Sequence, residues 1–108
     1  MNMTALFFPQ GNDIVVTAKF PEITDGTGVT AEFWYKPDKT TPDSDPANSK
    51  FTSNVTQGGD QIWFSQFSIP AADNAVPGAF WWRVDCIDST GKRRTPDGAC
   101  GTLLVEAV

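Results

Sequence analysis

The chain contains no histidine. That removes the commonest general base and a principal metal ligand, and with them any Ser-His-Asp or Cys-His nucleophile. Cysteine is scarce: Cys86 and Cys100 are the only two in 108 residues. No C-x-x-C spacing occurs, which speaks against zinc sites and thioredoxin-type chemistry. If Cys86 ends one strand and Cys100 opens the next, a hairpin places them opposite each other. Synthesis in the cytoplasm would instead keep both as thiols. Cations are outnumbered, with 8 Lys and Arg against 13 Asp and Glu and a net charge of −5. Such a balance argues against sequence-independent nucleic-acid binding and against a basic membrane patch. No apolar stretch is long enough to cross a bilayer. The opening MNMTALFF has no Lys or Arg, and its apolar run is only Ala5 to Phe8, so it does not read as a signal peptide. Nothing places two carboxylates in one cleft, as a glycosidase requires. The expectation is a chain that is not an enzyme and holds no cofactor and no metal.

What the chain does have is aromatics (8 Phe, 4 Trp, 1 Tyr) and turn formers (8 Pro, 9 Gly). Aromatic and β-branched side chains suit pleated sheets. The clearest stretch is VPGAFWWRVDCID, residues 76–88. Behind the Pro77-Gly78 turn signal, Phe80, Trp82, Val84 and Cys86 share one face, and Trp81, Arg83 and Asp85 the other. Period two is strand geometry, and so large an apolar face predicts a central strand. Similar alternation predicts strands over 13–20, 29–36 and 61–69, a weak one over 51–56, and a last one over 101–108. One turn of helix is expected at 71–74. KPDKTTPDSDPANSK, residues 36–50, reads as a long solvated loop, and its Asp38, Asp43 and Asp45 are too spaced for a calcium site. Lys92-Arg93-Arg94 reads as a solvated hairpin tip. No stretch longer than a turn carries a period of 3.6.

The fold class predicted is all-β: an immunoglobulin-like antiparallel β-sandwich of about seven short strands. Residues 1–11 form an N-terminal arm and 12–108 a single domain. Phe33, Tyr35, Phe80, Trp82, Val84, Val16, Leu103 and Val105 are expected in one core.

Trp34 and Trp81 then fall on the outer face of neighbouring strands, flanked by Glu32, Lys36, Arg83 and Asp85. Three readings of the pair stand: an assembly interface, cover by the arm or the 36–50 loop, and a stacking platform for sugar. Exposed aromatics among charges are the anatomy of a protein interface. The arm residues Leu6, Phe7 and Phe8 join Trp34, Trp81 and Arg83 as candidate interface residues, because large apolar groups in a terminal segment need cover, and Ala5 to Phe8 is expected to pack on a partner or on an open sheet edge. Two sequons, Asn2-Met3-Thr4 and Asn54-Val55-Thr56, carry little without a secretory route.

The phrases FFPQGNDIVVTAKF, VTAEFWYKPDKTTPDSDP and PGAFWWRVDCIDSTGKRRTPDGACGTLLVEAV resemble small virion proteins of tailed bacteriophages. W-Y-K-P-D and the late P-G-x-F-x-W-R-V-D are similar to the immunoglobulin-like N-terminal domain of baseplate upper proteins, and to head-decoration and head–tail accessory proteins. The chain departs from the baseplate type in having no further domain after Val108, which directs the expectation to a small accessory subunit. The resemblance implies a virion structural protein made in the host cytoplasm. It would dock in multiple copies on the capsid or the head–tail or tail region as a decoration or cementing subunit. Its partners would be major capsid or tail proteins and further copies of itself, with no nucleic acid and no membrane. The alternative is a module that binds host cell-wall carbohydrate through Trp34 and Trp81. A third reading is an accessory domain of a cytosolic enzyme.

Overall fold

The structure is a computed structural model that describes residues 5–96 and 99–107. The Asn2-Met3-Thr4 sequon, the first four residues of the arm, Asp97-Gly98 and Val108 lie outside the described residues. Two sheets face each other as a β-sandwich. The larger carries β1 (Leu6–Pro9), β3 (Thr30–Lys36), β4 (Ser49–Asn54), β7 (Gly78–Ile87), β8 (Arg93–Arg94) and β9 (Cys100–Glu106). Its order is β1-β9-β7-β3-β4, with the short β8 also on β7. The smaller sheet is β2 (Ile14–Phe20), β6 (Trp63–Ile69) and β5 (Thr56–Gln57), in the order β2-β6-β5. A single 3-10 turn, Ala71–Asn74, precedes β7.

β7 is the middle strand of the larger sheet, as its two-sided pattern predicts. Its inward Trp82 and Val84 stand opposite Tyr35 and Phe33 of β3. Phe33 is the hub. Its ring lies 6.1 Å from Trp82, stacked, 5.8 Å from Phe67 and 6.4 Å from Phe51, so it joins both sheets. From the smaller sheet Phe20, Phe67 and Ile69 complete the buried layer. Gly26 lies against the Trp63 ring so closely that a Cβ would sit 2.4 Å from Cε3. Only glycine passes there, because real Cβ atoms do not come so near.

Residues 6–9 of the arm are a strand on the open edge of the larger sheet, and they pair with β9 in parallel, while the other pairings among the described residues are antiparallel. Leu6 and Phe8 share a face with Leu103 and Val105, and Phe8 is buried with them in the core. Phe8 is therefore an internal packing group and not an interface residue, and Leu6 turns the same way but stays half-buried; Phe7, between them, points outward. The following Gln10-Gly11 turn is held by Asn74, which is fully buried. Its Oδ1 accepts from Gly11 N at 2.9 Å and its Nδ2 donates to Asn12 O at 2.7 Å.

Both cysteines are buried, and no disulfide joins them. Cys86 is in the core, whereas Cys100 stands opposite the outward-facing Arg83. They occupy opposite faces of the sheet, so the hairpin places no disulfide between them. Burial pushes the Cys86 thiol up to about 11, so it is protonated at neutral pH.

Candidate functional site: the outer face of the larger sheet

Strand alternation puts Glu32, Trp34 and Lys36 of β3 beside Trp81, Arg83 and Asp85 of β7 on the outer face. The register sets Trp34 opposite Arg83, Lys36 opposite Trp81 and Glu32 opposite Asp85. The two tryptophans are thus diagonal neighbours, not a side-by-side pair. They also differ in environment.

Trp34 is only 7% exposed. Four cations surround its ring: Arg83 at 5.0 Å, Lys50 at 5.4 Å, Lys36 at 5.5 Å and Arg93 at 5.9 Å from the centroid. Cations over an indole face gain from its quadrupole, more so where water is excluded. Each cation is in turn held by a carboxylate. Arg83 Nε reaches both oxygens of Asp85 at 3.1 Å, and its Nη1 and Nη2 form a fork on Asp43 at 3.2 and 3.0 Å. Arg93 contacts Glu32, and also Asp85 at 3.1 Å. Lys50 reaches Glu32 at 3.3 Å, and Lys36 contacts Asp43 and donates to Thr41 O at 2.9 Å. Thr95 Oγ1 donates to Asp85.

Of the three readings of Trp34, cover from within the chain is the one observed, but by Lys36, Lys50, Arg83 and Arg93 of its own sheet. The loop folds back over the sheet and Asp43 latches it. The loop is largely exposed, as expected, and so is the 92–94 tip; from them Asp43 reaches back to Arg83 and Lys36, and Arg93 to Glu32 and Asp85. Arg83 spends its guanidinium on two carboxylates of its own chain, so it is not a free interface group. Trp81 is half-buried, with the Lys39 ammonium 5.5 Å from its ring. A sugar platform built from both tryptophans would need both rings open, and Trp34 is buried.

Hydrogen bonds from Arg83, and then from Lys36, hold the Asp43 carboxyl down at about 2, below its ordinary 3.8. The folded value is the lower one. The latch therefore contributes fully above the unfolded value and is lost as pH falls through the folded one. Asp43 is half-exposed, so water screens much of the effect. Asp43→Asn is expected to melt below wild type at about pH 6, and the two melting temperatures should converge by about pH 2. Paired thermal melts across that range check it; parallel curves would mean that Asp43 does not latch the loop.

Beyond the ionic layer the same face turns apolar. Phe7 of β1, Leu104 of β9 and Ala79 of β7 stand in one cross-strand row. Phe7 is 61% and Leu104 39% exposed, and Ala79 is exposed as well. Pro9 lies near Phe7 at the sheet edge, where Pro9, Phe7, Glu106 and Ala107 form a shallow depression. Sequence reasoning found Phe7 but missed Leu104, because the parallel β1–β9 register that aligns them links opposite ends of the chain.

No group of three or more metal-ligating side chains gathers among the described residues. No helix among them is long and apolar enough to cross a membrane. Searched against protein-family models the chain matches none, and no curated protein matches it.

Proposed function

We propose that this chain is a non-catalytic docking subunit, a virion structural protein of the tailed-phage type that its phrases resemble. It sits among capsid or tail proteins as a decoration or accessory subunit on an immunoglobulin-like sandwich. The observation that supports this reading is the row Phe7–Leu104–Ala79. Large apolar side chains standing together on an otherwise ionic face mark a surface used for a partner. The ionic layer beside it keeps the sheet rigid, so the row meets its partner without reordering, which limits the entropy lost on binding.

The test is a variant carrying Phe7→Thr and Leu104→Thr. Both sites are exposed and threonine suits a strand, so the isolated protein should melt within about 0.5 kcal/mol per site of wild type. Incorporation into particles should drop at least about tenfold, because interface energy concentrates in a few large anchors. Normal incorporation of a folded variant would remove this row from the assembly surface and the proposal with it.

A further inference from the structure

The smaller sheet has a free edge at β2, and the geometry points to that edge as the contact between two copies of this chain, joined antiparallel about Val16. Burial falls off sharply across this sheet. Ile69 and Phe67 of β6 are buried, yet Ile14 and Val16, directly opposite them on the same inner face, are only half-buried. The reason is an open mouth between the sheets. An apolar groove of about 420 Å³ runs there, lined mainly by Leu6, Val16, Ala18, Phe20, Trp82 and Val84.

The other edges are blunted in the usual ways. β1 is four residues long and ends on Pro9. β5 has two residues. β4 is polar along SKFTSN and carries Lys50. β2, by contrast, runs seven residues, IVVTAKF, in regular register with no proline inside it. Its outward Val15 is 64% exposed. A long edge without proline, whose one lysine lies next to its end, beside an open core is a template for another strand.

The charges on the strand select the occupant. In one continuous sheet that keeps both cores on the same side, residues opposite each other must share a face, so a two-fold axis passes through a residue position. With the axis at Val16, Asp13 of each copy falls opposite Lys19 of the other, twice over. Val15 meets Thr17, and Ile14 meets Ala18. An axis at Thr17 instead sets Lys19 against Val15 and leaves Asp13 opposite Pro21. The Val16 register alone pairs the opposite charges, and it carries the second copy's Ile14, Val16 and Ala18 across the mouth of the groove. The contact lies on a different sheet from the Phe7–Leu104 row, so it stands or falls separately from the docking reading.

Sedimentation of the full chain tests it. Wild type should show a concentration-dependent monomer–dimer equilibrium at or below about 100 μM. Asp13→Lys and Lys19→Asp each place like charges opposite and should weaken the dimer about tenfold. The combined swap Asp13→Lys with Lys19→Asp restores opposite signs and should return to near the wild-type constant. Asp13 Oδ1 also accepts from Ala71 N at 2.8 Å. Lys19 Nζ also contacts Asp60 at 3.0 Å; the Asp13→Lys proteins lose the first contact and the Lys19→Asp proteins the second, so a dimer constant for the swap better than the sum of the two single losses isolates the charge pair, and thermal melts verify folding. A wild type that stays monomeric overturns the proposal, as does a dimer indifferent to the single changes or a swap that restores nothing.

Discussion

Phe33→Ala is expected to cost the fold ~3–5 kcal/mol, the range for truncating a large aromatic in a packed core. Phe33 is fully buried and its ring is the only one in contact with Trp82, Phe67 and Phe51 together among the described aromatic pairs. Removing it takes away apolar burial and leaves a cavity that strands on both sides are too constrained to fill. A native stability is typically only ~5–15 kcal/mol, so the variant should be near the edge of folding. Urea unfolding followed by fluorescence measures it. Phe33→Leu keeps most of the volume and should lose roughly a third as much. A loss below about 1 kcal/mol for Phe33→Ala would mean that the sheets can close over the gap.

Asp85→Ala should be the most damaging change outside the core, at about 3 kcal/mol. Asp85 is 0% exposed and accepts from Arg83, Arg93 and Thr95. Without it, two guanidinium groups that frame Trp34 lose their shared counter-charge. Breaking a buried ion pair from one side costs more than the pair is worth, since the other charge remains. Arg83 keeps Asp43 and Arg93 keeps Glu32, which holds the loss toward the lower end. Asp85→Asn retains shape and one acceptor and should lose about half as much. The Trp34 environment gives a second readout. With the cations released, its fluorescence should become accessible to a solution quencher in Asp85→Ala but not in wild type. A quenching curve identical to wild type would show that the cage stands without Asp85.

The strand pattern was legible because alternation is local: Phe80, Trp82 and Val84 announce their face within five residues. The core and the middle place of β7 follow from that. What two-residue periodicity cannot express is contact across the chain. Phe7, Leu104 and Ala79 form a row only through the β1–β9 and β9–β7 registers. Asp43 and Arg93 look solvated in sequence and remain half-exposed, and only the tertiary fold brings them to the charges around Trp34. The outward phase of Trp34 was read correctly, but phase says which side a residue faces and not what lies over it.

The parallel seam between β1 and β9 also governs when this chain can finish folding. Leu6 pairs with Leu103, so the contact spans nearly the whole sequence. Loop closure over that distance must precede any gain from it, which places the seam late in folding. During synthesis the β1 segment emerges well before β9 and waits with Leu6 and Phe8 uncovered until Cys100–Glu106 has left the ribosome. β2 and β6, and β3 with β4, need no such delay. Between the emergence of β1 and that of β9, the inward side chains of β1 thus lie open to a chaperone or to a neighbouring nascent copy.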